Sequence, residues 1–205
     1  HHEEDGIADF YRVLKEELTQ SCCDISHEII FVDDGSRDGT LEQLKLIAKS
    51  DTSVSVFSLS RNQGHQTALT VGLEHADCDA VIMMDSDLQH PPSLVPQMIA
   101  LWKQGNDAVL AVRQQTKDAS GLKKFTSNAF YQFFNLLSDV KLTPGAADFC
   151  LLSKPILEQL LSMPEKRRFL RGMIAWLNPK TAQIPYVAPG RFAGQSSYNL
   201  SKMLK

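Results

Sequence analysis

The sequence has no surplus of positive charge: 21 Lys and Arg stand against 24 Asp and Glu, a formal net charge of −3 over 205 residues. Binding to a phosphate backbone rests on clustered cations, so a nucleic-acid partner is disfavoured. Cysteine is scarce. Cys22, Cys23, Cys78 and Cys150 lack the paired close spacings of a zinc site and the density of a secreted disulfide framework, which predicts reduced thiols in the cytosol. No run approaches the roughly 18–20 apolar residues of a spanning helix, and the N-terminal stretch shows no apolar signal-peptide core. The chain as it stands is therefore expected to be soluble or at most peripheral. It also lacks internal repeats and low-complexity tracts, which excludes a repeat array. What is present is 43% apolar residues, enough for one substantial core, so residues 1–205 are expected to form a single domain.

Periodicity then orders the elements. Ile7, Phe10, Leu14 and Leu18 recur at helical spacing. Residues 28–33 read as a short buried strand ending in acid. Thr40 is placed as the cap of a helix carrying Leu41, Leu44 and Ile47, and 54–59 alternate as a second strand. A helix over about 64–77 leads to 79–84, a near-continuous apolar run that suits a strand covered on both faces. Pro91-Pro92 punctuate, Ser93 is placed as the next cap, and a helix over about 93–104 precedes a strand at 107–112. This alternation predicts an α/β fold with a mostly parallel sheet flanked by helices. Beyond residue 120 the pattern loosens into a helix at about 121–138, a segment around 148–152 and further helices up to about 177.

Ligands of such sheets sit at the carboxyl ends of strands, and both acidic clusters fall there. Asp85-Ser86-Asp87 can converge on one hard cation, since carboxylate oxygen suits magnesium or manganese better than zinc or copper. Asp33-Asp34-Gly35-Ser36-Arg37-Asp38-Gly39-Thr40 joins strand to helix through a glycine-rich turn. There Asp38 and Thr40 read as capping residues, and Asp34 as an acceptor for a nucleobase N–H or a ribose hydroxyl.

Three segments in order, Phe31-Val-Asp-Asp-Gly-Ser-Arg-Asp-Gly-Thr40, Leu59-Ser-Arg-Asn-Gln-Gly-His-Gln-Thr-Ala68 and Met84-Asp-Ser-Asp-Leu-Gln-His-Pro-Pro92, resemble motifs of family 2 glycosyltransferases. The subgroup they resemble holds the dolichol-phosphate mannose synthases and bactoprenol glucosyltransferases. The resemblance implies a GT-A fold, Mg2+ or Mn2+, inversion at the anomeric carbon, and transfer from a nucleotide-sugar donor to a polyprenyl (undecaprenyl or dolichyl) phosphate at the cytoplasmic face of a membrane. By position it makes Asp85, Asp87 and Gln89 the metal and diphosphate residues and Asp34 the nucleoside acid. Arg113 would face phosphate, and Asp148 matches the proposed catalytic base. A phosphate acceptor is already ionised near neutral pH, so Asp148 is equally a candidate for positioning the acceptor or the sugar. Arg168 and Arg171 resemble an acceptor-side basic segment and read equally as a solvated helix face. Arg191 resembles a phosphate-meeting residue, with 191–205 a juxtamembrane segment. Lys124, beside an aromatic helix face, would suit a surface facing headgroups or acceptor phosphate. Arg61 and Asn62 are candidates for the nucleotide pocket, while His65 and His90 read as hydrogen-bonding loop residues.

The chain departs from the subgroup in three places. The subgroup opens with a strand that has no counterpart here and that belongs in the middle of the sheet, so an unpaired edge is expected. Cys150 stands where arginine is frequent, and Ser197 where lysine is. Two alternatives stay open: a non-catalytic nucleotide-sugar binding domain, and an Asp-x-Asp phosphatase. The phosphatase pattern puts its nucleophile near the first strand with threonine commonly following, whereas Leu88 and Gln89 follow here.

Overall fold

The computed structural model describes residues 2–114, 143 and 145–188. Helix α1 (Ile7–Ser21) buries Ile7, Phe10, Leu14 and Leu18 as one stripe. Then come β1 (Ile29–Asp33), α2 (Thr40–Ser50), β2 (Val54–Ser58), α3 (His65–Glu74) and β3 (Ala80–Met83). A 3-10 turn at Pro92–Leu94 enters α4 (Val95–Lys103), and β4 (Ala108–Arg113) closes the alternation close to its expected range. Two expected caps are corrected. Gly39 holds the cap position of α2, while Thr40 is its first helical residue, buried with its hydroxyl donated to Asp38 Oδ1 at 2.6 Å. Ser93 lies inside the 3-10 turn, because Pro92 already presets the backbone angle that begins it.

The second half contributes β5 (Ala146–Ser153), α5 (Lys154–Ser162), α6 (Leu170–Leu177) and β6 (Thr181–Tyr186). Strands β1 and β2 pair in parallel. The other four form one sheet in the order β3-β5-β4-β6. Within it β3, β4 and β6 run the same way, and β5 runs against both neighbours. The class is therefore α/β with mostly parallel strands flanked by helices, as expected. Two features were not expected: the reversed direction of β5, and β6 itself. The burial of β6 alternates, and Pro185 suits its edge position.

Strand β5 is the spine of the core. Phe149 and Leu151 pack with Met98, Val109 and Ile184 on the α4 side. Cys150 and Leu152 pack with Leu157, Leu160 and Met173 of α5 and α6 on the other, as the two-residue period of a strand requires. A third cluster joins α1, β1 and α2. The edges of β1 and β3 that face each other carry no strand among the described residues. A cavity of about 1250 Å³ runs between them, lined by Ile29, Phe31 and Val32 on one side and Ala80, Ile82 and Met83 on the other. It opens at the strand ends onto Asp34, Asp85, Asp87 and Asp148. The expected helix at 121–138 with Lys124, and the segment 191–205 with Arg191 and Ser197, lie outside the described residues.

Leu160 is fully buried, whereas Leu46 is 67% exposed. Leu160→Ala is expected to lower the unfolding free energy by about 2–5 kcal/mol in urea titration, through lost transfer energy and the cavity left behind. Leu46→Ala is expected to change it by about 0.5 kcal/mol or less.

Candidate active site at the strand ends

Two neighbouring acids end β1 and take different tasks. Asp33, 2% exposed, accepts the Ser36 N–H at 3.1 Å together with the hydroxyls of Ser36 and Ser58, which closes the turn. Asp34 accepts the Gln63 N–H at 2.6 Å and the Gly64 N–H at 3.0 Å. These charge-assisted bonds fix where α3 begins, and each oxygen keeps lone-pair capacity toward the cavity that Asp34 lines. Gly35 has φ +65°, and a Cβ there would stand 2.7 Å from Arg61 Cα and Asn62 N, so the two loops meet only through glycine. Arg61 and Asn62 are exposed on that loop.

Beyond β3 the chain turns sharply. Asp85 donates its N–H to His90 Nδ1 at 2.8 Å, and Asp87 Oδ1 accepts the Gln89 N–H at 3.0 Å. Between them Leu88 has φ +59°, a left-handed conformation that costs a non-glycine residue about 1–2 kcal/mol. Asp85, Ser86, Asp87 and Leu88 line the cavity. Gln89, expected as a third metal residue, contributes its backbone N–H to Asp87. Burial pushes the His90 ring below the usual imidazole range, against the pull of Asp85 and Asp87.

Strand β5 brings Asp148 to the same place. Its Oδ2 meets His65 Nε2 at 3.1 Å and accepts from Gln66 Nε2 at 3.1 Å, and its Oδ1 lies 3.1 Å from Arg171 Nε. That last pair is close but not aligned as a hydrogen bond, so two buried polar atoms of the site keep unused hydrogen-bonding capacity. Gln66 also accepts the Leu170 N–H at 2.9 Å, which ties α6 to α3. Arg171 rests over the Phe169 ring, 5.5 Å from its centroid. His65 Nε2 is 3.7 Å from Asp85 Oδ1 as well, so one imidazole stands between the two carboxylates.

Burial alone would raise Asp148, but the His65 hydrogen bond and the Arg171 charge outweigh it and hold the carboxyl below its ordinary range. His65 is raised, chiefly by its bond to Asp148.

The remaining expected residues are dispersed. Arg168 turns away from the cavity, donating to the Leu161 carbonyl at 3.0 Å and standing 3.8 Å from Glu74. Arg113 is exposed at the end of β4. Cys150 lies one pair deeper than Asp148 on β5, 2% exposed, its thiol pushed up to about 12 by burial. Glu3 was not anticipated. It lines the cavity mouth, raised first by burial and then by Asp87 and Asp85.

Residues 2–161 match the model of glycosyl transferase family 2. The chain belongs to this family. Similar curated glycosyltransferases include the prophage bactoprenol glucosyl transferase homolog of Escherichia coli, 36% identical over 97% of this chain and 64% of its own length. The bactoprenol glucosyl transferase of Shigella phage SfV is 37% identical over 97% and 64%. The chain thus spans just under two thirds of the length of these relatives. Among solved structures it resembles the mannosyltransferase PcManGT of Pyrobaculum calidifontis, in complex with GDP-Man and Mn2+, with a TM-score of 0.61 at 18% identity over 91% of this chain and 53% of that one. It likewise resembles glucosyl-3-phosphoglycerate synthase of Mycobacterium tuberculosis in complex with UDP, with a TM-score of 0.61 at 19% identity over 98% and 71%. The GT-A-like fold is established by these matches.

No three of His, Cys, Asp or Glu converge as a metal-holding group among the described residues. Two acids at an open cavity end, Asp85 with a side chain 40% exposed, nevertheless fit a hard cation. Mg2+ and ions like it keep several waters and take substrate phosphate oxygens to complete their shell. Asp85 and Asp87 are the groups that could hold it.

The charge pattern sets two opposite pH dependences. His65, raised in the folded state, stabilises the fold below its unfolded value, and that contribution is lost as pH rises through the folded value. Asp148, depressed, contributes above its unfolded value and loses that contribution as pH falls through the folded one. Titration of His65 by NMR is expected to give a midpoint above the ordinary value of about 6.5, moving down toward it in Asp148→Asn. A wild-type midpoint at or below 6.5 would contradict the pairing.

Proposed function

We propose that this chain is the catalytic domain of an inverting glycosyltransferase that moves a sugar from a nucleotide diphosphate to a polyprenyl phosphate at the cytoplasmic face of a membrane. The observation that carries the reading is the convergence of Asp85, Asp87, His65 and Asp148 at one end of the cavity, beside Asp34, with Arg171 held against Asp148. The names of the bactoprenol relatives support the acceptor.

In this reading Asp34 takes the nucleoside, while Asp85 and Asp87 face the donor diphosphate. A bound Mg2+ or Mn2+ would supply positive charge to the departing nucleoside diphosphate. A phosphate oxygen of the acceptor attacks the anomeric carbon from the face opposite that leaving group. The bond to the diphosphate breaks as the new one forms, and no proton has to be removed from a dianionic phosphate. Asp148, held ionised by His65 and Arg171, therefore positions rather than deprotonates: it fixes the guanidinium of Arg171, whose forked donors suit phosphate. Arg113 at the end of β4, with Lys124 and Arg191, would add acceptor-side charge. Both arginines hold a backbone carbonyl, Arg168 that of Leu161 and Arg171 that of Ala146, and Arg168 has the weaker claim because its side chain is 14% exposed against 39% for Arg171.

Asp87→Ala in the full-length protein is expected to cut Mn2+-dependent transfer by about 100-fold or more. The readout is radiolabelled lipid extracted from membranes given a panel of UDP-, GDP- and dTDP-sugars. Unchanged transfer in that variant would sink the mechanism, and no lipid product from any donor would favour a binding domain without transfer.

A further inference from the structure

We infer that His90 is the positioning residue of the Asp85–Asp87 turn: its Nδ1 accepts the Asp85 N–H, and this bond rather than the ring's bulk sets how the two carboxylates meet the cavity. The ladder of β3 with β5 ends at Met83 opposite Cys150. The Asp85 N–H therefore lies beyond the last paired residue, and its partner is the imidazole five residues on, at 2.8 Å. The loop so closed contains Leu88 at φ +59°, a conformation unfavourable for a side chain with a Cβ. Such a turn persists only where surrounding ties over-determine it. One tie is Asp87 Oδ1 to the Gln89 N–H, and the other is His90.

The ring itself is held from outside the turn. It is 5% exposed, stacks on Phe149 with centroids 4.9 Å apart and planes 18° from parallel, and meets Tyr186 edge-on at 6.4 Å. Phe149 follows Asp148 on β5. The strand that delivers Asp148 thus also aims the imidazole that sets Asp85. An imidazole nitrogen that accepts an N–H carries no hydrogen of its own, so the ring's hydrogen is on Nε2. The nearby Asp85 Oδ2, 3.6 Å from Nδ1, consequently receives no hydrogen from it and stays available to a ligand.

The inference rests on the proposed function for the meaning of the two carboxylates, while the geometry of the turn is testable by itself. Two variants of the full-length protein separate the bond from the packing. His90→Phe keeps a ring for Phe149 and removes the acceptor, whereas His90→Asn keeps an acceptor near the Nδ1 position and removes the stack. In His90→Phe the Asp85 amide hydrogen is expected to exchange about tenfold faster or more. The Mn2+ dissociation constant is expected to rise about 10–100-fold, the range for residues that orient metal ligands. In His90→Asn both are expected to stay within about threefold of wild type even where the melting temperature falls. Wild-type exchange and affinity in His90→Phe would overturn the inference, as would affinities that follow the melting temperatures of the two variants. If the wild type binds no Mn2+, the metal reading fails, and the Asp85 exchange rates still decide on His90.

Discussion

The site depends on the register of β3 against β5. Ala80 opposite Ser153 and Met83 opposite Cys150 define an antiparallel ladder, and just past its end Asp85 and Asp148 both come within reach of His65. Facing like charges destabilise a strand pair, so the register would be unfavourable there without partners for the two acids. His65 stands 3.7 Å from one and 3.1 Å from the other, and Arg171 reaches Asp148 from α6. The fold thus imposes a concentration of negative charge and then offsets part of it, with a guanidinium from α6 and a hydrogen-bonding imidazole from α3.

Those groups are held by bonds that begin at β1. Asp34 fastens the backbone of Gln63 and Gly64, which determines where His65 and Gln66 start α3. Gln66 in turn holds both Asp148 and the first residue of α6. A carboxylate at one strand end therefore governs the placement of side chains around another strand's end. His65 touches Asp85 from the α3 side of the sheet, and His90 holds it from the α4 side beside Phe149. Asp85 sits between two imidazoles with different tasks, one facing carboxylates and one accepting a backbone N–H.

Much of this was legible in the sequence, for identifiable reasons. The stripe Ile7, Phe10, Leu14, Leu18 carries the period of a helix, and the short apolar run ending at Met84, bounded by acids, suits a covered strand. The acids after those strands had to fall at carboxyl ends. The direction of β5 carries no such signal, because a strand buried on both faces reads the same either way. Strand β6 was missed since Thr181–Tyr186 is half exposed and contains proline. His65 read as a loop residue because its partner Asp148 lies far along the chain, and His90 because Phe149, whose ring packs it in place, does too. Arg168 and Arg171 looked equivalent as neighbours in one basic segment, yet one meets the Leu161 carbonyl and Glu74 while the other meets Asp148.

By itself, the sequence determined the alternation of elements, the class of fold and the two acidic strand ends, since local periodicity and turn chemistry carry that information. Only the tertiary structure decided which acid ties down backbone and which stays open. It also decided which arginine reaches the site, and that β5 returns Asp148 to face Asp85. Those outcomes depend on strand direction and on contacts across the sheet, where residues distant in sequence come within hydrogen-bonding reach.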